Sequence, residues 1–309
     1  MAQLGAAVRR IRTGALRQTR GDRIFDLMTT VLLAVVFITV AYPLYFVVIA
    51  SVSDPTEIYL GHTLLAPKGV TLVGYKRILA ETRIWTGYRN TVIYTLFGTL
   101  FSLLLTIPAG YALSRNDMPG RGIMLKFMVF TMFFSGGLIP TYFVVKGLGL
   151  VNKPVVMVVL GALAVNHVFI ARTFFKSNIP QEMLEAALID GCNNTRFFIS
   201  IVLPLSKAII AVIALYVGVG HWNNYFTGLI YLNKQKYYPL QLILRDLLLS
   251  SSAVAQDTNI TAEEASEMQR VAESIKYGII IVASVPVLAV YPFLQRYFVK
   301  GVMIGSVKG

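Results

Sequence analysis

Apolar residues along this chain gather into long stretches separated by short polar segments rich in Lys and Arg. A helix that spans a bilayer needs roughly 20 mostly apolar residues. Six stretches qualify, at about 27–50, 91–113, 124–145, 155–172, 208–230 and 277–295. They predict an all-α integral membrane protein of six transmembrane helices. The first stretch follows a basic leader, but it lacks a small-residue cleavage site and runs too long for a signal core. The expected division is therefore a basic cytoplasmic leader, 1–26, a six-span membrane domain, 27–298, and a tail, 299–309.

Basic residues near span ends set the expected orientation. Arg9, Arg10, Arg12, Arg17, Arg20 and Arg23 precede the first span. Arg115, Arg121 and Lys126 follow the second. Arg172, Lys176, Arg196 and Lys207 follow the fourth, and Arg296, Lys300 and Lys308 follow the sixth. Placing these inside makes both termini and the segment around Glu185 cytoplasmic. The outer loops hold Lys76, Arg77 and Arg83 together with acids, so the bias is moderate.

Two outer segments are long. Residues 51–89 are punctuated by Pro55, Gly61, Pro67 and Gly74 and read as an irregular loop. Residues 231–276 contain Thr261 and Glu264 at capping-box spacing. Glu263, Glu264, Glu267, Arg270 and Glu273 then fall on a short helix, either solvated or a contact surface for an extracellular binding protein.

Composition agrees with a membrane reading. The chain is 56% hydrophobic and 14% charged, whereas a soluble domain carries about 25% charged residues. The net charge of +13 lies between apolar runs, which fits basic membrane loops better than nucleic-acid binding. The single cysteine, Cys192, excludes a disulfide within the chain and any multi-cysteine metal site.

The polar segment between the fourth and fifth spans carries the most specific pattern. Asn178, Pro180 and Gln181 predict a helix start. Met183, Leu184, Ala187 and Leu188 give that helix an apolar face. Ala186 and Ala187 let a partner approach closely. Gly191, after Asp190, suits a left-handed cap that turns the chain. Asn193, Asn194 and Thr195 can cap a second helix, which Pro204 interrupts. A DNA-binding helix-turn-helix has the same outline, but apolar spans flank this one.

Enzymatic readings fail on inventory. No Gly-Lys-Ser or Gly-Lys-Thr is present, so no phosphate-cradling loop with its lysine can form. His62, His167 and His221 lack metal-helix spacing. His167 and His221 lie within spans, as functional groups or as helix–helix hydrogen-bonding groups. No acidic residue occupies the middle of a span, which argues against proton or sodium coupling. Two polar-aromatic clusters remain: Phe133 to Gly137 with Pro140, Thr141 and Tyr142, and His221 to Tyr225. Trp222, Asn223, Asn224, Tyr225 and Tyr142 are candidates for a substrate pathway. The alternatives are an interfacial aromatic belt for Trp222 and Tyr225 and close helix packing for Gly136 and Gly137.

Glu185, Ala186, Ala187, Gly191, Ile201, Leu203 and Pro204 together match EAA-x3-G-x9-I-x-LP. On that spacing the chain resembles permease subunits of ATP-binding-cassette importers. The run from Tyr291 to Gly309 resembles carbohydrate permeases, similar to maltose permease. Phe134 to Pro140 and Trp222 to Tyr225 look closer still to the branch for aldouronate and other acidic or complex oligosaccharides. The resemblance implies that residues 185–204, Asp190 included, form a cytoplasmic elbow docking on an ATPase. It implies a second permease, two ATPase subunits that bind ATP-Mg, an extracytoplasmic sugar-binding protein, and alternating access in a bacterial cell membrane. It implies no cofactor bound by this chain, and a tail reaching into the ATPase assembly. The remaining alternatives are a secondary transporter or channel working without ATP, and an importer permease for a non-sugar solute.

Overall fold

Thr19 starts the first helix. Its hydroxyl accepts from Asp22 N at 3.2 Å, and Asp22 Oδ2 accepts from Thr19 N at 2.8 Å. This reciprocal cap satisfies two helix-start donors and begins helix α1, Arg20–Ser51, inside the expected leader. The computed structural model describes residues 19–254, 272, 275–290 and 292. The leader up to residue 18, the expected helix around Glu263, Glu264, Glu267, Arg270 and Glu273, and the 299–309 tail lie outside the described residues.

The chain divides into two units at Thr71 and Leu72. In the first, α1 is apolar and largely exposed. The hydroxyls of Tyr42 and Tyr45 donate to Leu64 O at 3.3 Å and Leu65 O at 2.6 Å, pinning the following segment along α1. That segment holds a short helix, α2, Pro55–Tyr59, capped by Asp54.

The second unit continues with α3, Val73–Ala80, α4, Thr82–Ser114, α5, Arg121–Phe133, and α6, Leu138–Gly147. Then come α7, Val156–Val159, α8, Val165–Asn178, α9, Gln181–Ile189, and α10, Asn194–Phe197. Helix α11, Leu203–Leu205, precedes α12, Lys207–Trp222, α13, Phe226–Tyr231, and α14, Leu240–Val254. The last is α15, Ile275–Val290. Among the described residues there is no strand.

Several expected outlines change. The irregular loop at 51–89 contains α2 and α3, and α4, capped by Glu81, begins at Thr82, nine residues before the expected start of the second span. The third stretch is not one helix: the chain bends by 117° between α5 and α6. Gly137, at φ +84°, supplies backbone that an apolar count cannot register. The fourth is broken near Gly161, at φ +80°, between α7 and α8. The fifth is broken at Asn223, whose Nδ2 donates to Val219 O at 3.0 Å and so competes with the helix ladder. By length and apolarity, α1 and α4 each suffice to cross a bilayer. The bent pairs Arg121–Phe133 with Leu138–Gly147 and Asn194–Leu205 with Lys207–Trp222 qualify only if each is one span.

Helix α4 is the hub of the second unit, packed on α8, α12 and α14. Two glycines allow the closest approaches. A Cβ on Gly98 would lie 2.4 Å from His221 Nε2 on α12, and one on Gly110 would lie 2.6 Å from Ala171 Cβ on α8. Polar groups of α4 hold the connection between α13 and α14. Asn90 Nδ2 donates to the carbonyls of Lys236 and Tyr238 at 2.9 and 3.0 Å, and Thr91 Oγ1 accepts from Leu240 N at 2.7 Å. These two buried polar side chains are thereby paired, as burial requires.

Candidate functional site

The segment 178–206 folds as two short helices turned against one another. Asn178 does not cap α9, contrary to the sequence expectation. It ends α8, with Nδ2 donating to Phe174 O at 2.9 Å, and Pro180 takes the capping position without a side-chain bond. Proline fits there because its missing N–H would have no intrahelical partner.

The C-terminus of α9 is a complete left-handed cap. Gly191 stands at φ +76°. Cys192 N donates to Ala187 O at 2.9 Å and Gly191 N donates to Leu188 O at 3.0 Å. These are the two bonds of a Schellman turn, and the apolar contact that accompanies it comes from Cys192 and Ala187 in one cluster. Asn193 Oδ1 then accepts from Arg196 N at 2.8 Å and starts α10.

Pro204 shapes the bend into α12. Without an N–H it cannot bond to the carbonyl four residues back. The chain widens into a π-helical turn, Phe198–Val202, before α11 and bends by 78° into α12 at Ser206. Such turns recur at functional positions.

The inner face of this elbow is firmly held. Leu184 and Ala187 of α9, with Phe197 and Val202, join Ile107 and Tyr111 of α4 and Phe175 of α8 in one buried cluster. Ile201 and Leu203 are half-buried against it. Phe175, Phe197 and Val202 are completely buried; the motif does not include Phe175 or Phe197, though an apolar helical period signals both. Arg115 Nη1 donates to Asn194 Oδ1 at 2.8 Å, tying the loop after α4 to α10. Arg115 also pairs with Asp117, and this hydrogen bond holds the Asp117 carboxyl below its ordinary range.

The outer face is open. Glu185, Ala186, Asp190, Gly191 and Pro204 are exposed. Ile189 is 87% exposed and Leu188 48%. Gln181 Nε2 donates to Glu185 Oε1 at 2.9 Å, orienting the carboxylate one turn away. The result is a small acidic and apolar tip on a rigid turn.

The cluster at the other end of α12 separates. Trp222 is 7% exposed, packs near Tyr88 and donates through Nε1 to Ala283 O of α15 at 3.0 Å. Asn224 Oδ1 accepts from Thr227 N at 3.1 Å, within the first turn of α13. Tyr142 lies elsewhere, stacked on Tyr231 at 5.8 Å. Asn223 and Tyr225, by contrast, line one cleft together with Gln241 and Arg245 of α14. Gln241 and Arg245 were hidden inside an expected loop. Their signal was present: Leu240, Ile243, Leu244 and Leu247 recur at helical spacing, which leaves positions 241 and 245 on the polar side.

Known proteins resemble this chain along nearly its whole length. The Polygalacturonan/rhamnogalacturonan transport system permease protein YtcP of Bacillus subtilis (strain 168) is 38% identical over 288 residues, covering 93% of this chain and 99% of that protein. Protein LplC of the same organism is 35% identical over 297 residues, covering 95% and 98%. In a crystal structure of a bacterial ABC transporter involved in the import of the acidic polysaccharide alginate, one chain matches with a TM-score of 0.81 and 30% identity. The match covers 91% of this chain and 98% of that one. Residues 84–304 match the family model described as binding-protein-dependent transport system inner membrane component, and the chain belongs to that family.

Proposed function

We propose that this chain is a membrane permease subunit of an ATP-driven oligosaccharide importer. It forms the translocation pathway with a second permease. The elbow at 185–204 docks on one of two ATPase subunits, which bind ATP-Mg, and an extracytoplasmic binding protein delivers the sugar. The elbow, both termini and the ATPases lie on the cytoplasmic side of a bacterial cell membrane. The chain itself is not an enzyme; in this family ATP is hydrolysed by a separate subunit.

One observation carries the docking role. Leu188 and Ile189 stay exposed, beside Glu185, on a turn whose other face is locked into a buried cluster. An exposed apolar side chain on a rigid acidic tip fits a protein groove with basic or polar walls. The sugar reading is supported by relatives whose names carry polygalacturonan, rhamnogalacturonan and alginate.

The test is reconstitution of the assembly in proteoliposomes. ATP-dependent uptake of an oligosaccharide is expected, together with co-purification of the ATPase. Glu185→Lys is expected to abolish uptake while membrane insertion persists, because a reversed charge across an interface costs several kcal/mol. Gradient-driven uptake by this chain alone, or full uptake by an inserted Glu185→Lys complex, would sink the proposal.

A further inference from the structure

The cleft at the end of α12 away from the elbow carries a positive charge that the pathway candidates did not include. Its volume is about 660 Å³. One wall presents Asn223, Tyr225, Gln241 and Arg245; the wall from α15 is largely apolar, including Ile280 and Leu288. Gln241 and Arg245 are one turn apart on the same face of α14. Gln241 Nε2 reaches Asn223 Oδ1 at 3.5 Å, and the Arg245 guanidinium lies 6.0 Å from the Tyr225 ring centroid.

Arg245 makes one hydrogen-bonding contact among the described residues, Nη1 to Asp246 Oδ1 at 3.5 Å. That is long beside the 2.7–2.9 Å typical of charge-assisted bonds. Both side chains are partly exposed, at 39% and 43%, and such pairs contribute little to stability. Asp246 also lies within the electrostatic reach of Arg83. The planar fork of Arg245 is thus open to a stronger, two-pronged acceptor, and the apolar wall opposite lowers local screening.

We infer that this cleft selects carboxylate-bearing sugars: Arg245 binds a uronate carboxylate, the Gln241 and Asn223 amides take adjacent hydroxyls, and the Tyr225 ring covers a C–H face. A neutral sugar fills the same volume but leaves the guanidinium with only its long contact to Asp246. The assignment rests on the importer reading.

The test uses the full assembly in proteoliposomes with trigalacturonate and its fully methyl-esterified, uncharged form. Arg245→Gln is expected to lower the ratio of acid to ester uptake at least tenfold, with the loss appearing in the apparent KM. Arg245→Lys, which keeps the charge but loses the fork, is expected to lower the ratio several-fold, and it decides the matter if Arg245→Gln fails to assemble. An unchanged ratio in an assembled variant, an equal loss for both sugars, or a wild-type preference for the ester overturns the inference. A wild-type assembly that imports no oligosaccharide instead sinks the importer reading itself.

Discussion

Substituting Gly191 separates backbone geometry from side-chain contact. A Cβ built there meets nothing within 4 Å, so this chain has room for a larger residue. Only the left-handed backbone, φ +76°, resists it. An L-residue other than Asn or Asp is strained there by about 1–2 kcal/mol, so Gly191→Ala should lower the ratio of correctly turned to unturned elbows by a factor of about 5–30. Asn tolerates this conformation, and Gly191→Asn should lose little. Gly191→Pro cannot reach a positive φ and also removes the N–H that donates to Leu188 O at 3.0 Å, about 1 kcal/mol more. The expected order of uptake is therefore Gly, Asn, Ala, Pro. The assay is ATP-dependent uptake per inserted complex, with ATPase retention through purification measured in parallel. Wild-type uptake by an assembled Gly191→Pro complex would refute the role of the turn. Asn as damaging as Pro would refute the conformational argument and point to contact with the partner.

Other substitutions test the packing and the cleft. Gly98→Ala is expected to lower thermal stability sharply, since its Cβ would lie 2.4 Å from His221 Nε2; adding His221→Ala should recover part of the loss, and strictly additive melting shifts would contradict the clash. Ser206 is fully buried, and its hydroxyl has no partner among the described residues, so Ser206→Ala should leave the melting temperature unchanged or raised. A loss above about 1 kcal/mol would show that the hydroxyl is used. Trp222→Phe should cost about 1 kcal/mol of stability through the lost bond to Ala283 O, with sugar uptake retained per assembled complex. Asn223→Ala should lower uptake about tenfold, equivalent to about 1.4 kcal/mol, with normal assembly; the opposite pattern for this pair would reverse their roles.

How far the sequence led depended on whether the deciding interaction was local. The end of α9 was legible because a turn needing positive φ advertises itself as Gly191, with Asn193 two residues on to start the next helix. The start of α9 was misread because Asn178 and Pro180 both fit a helix start. Only the course of α8 shows that Asn178 is spent on Phe174 O. The breaks near Gly137 and Gly161 escaped because hydropathy measures side chains and these are backbone events. Trp222, Asn223 and Asn224 read as one cluster whose members, about 100° apart on a helix, cannot all point one way. The helix end at Asn223 separates them further into core, cleft and cap. Arg245 was missed because the helical period of Leu240, Ile243, Leu244 and Leu247 lies inside a segment expected to be an outer loop.

On the importer reading, α12 explains how an event at the elbow reaches the cleft. Ile209, Ile213 and Val217, on successive turns of α12, share a buried cluster with Leu184, Ala187 and Phe197 of the elbow. Displacing α9 therefore displaces α12 rather than sliding past it, because close-packed contacts transmit strain. The helix is 16 residues long, about 24 Å at 1.5 Å per residue. A tilt of about 5° over such a length moves the far end by about 2 Å. That end is not free: Trp222 holds the carbonyl of Ala283, so α15 follows, and α15 forms the apolar wall of the cleft. Elbow position and cleft shape are then two readings of one rigid element. Linkage makes the relation reciprocal: if ATPase engagement changes sugar affinity at the cleft by some factor, sugar changes ATPase affinity at the elbow by the same factor. A permease that catalyses nothing can in this way still impose sugar dependence on the nucleotide cycle of its neighbour.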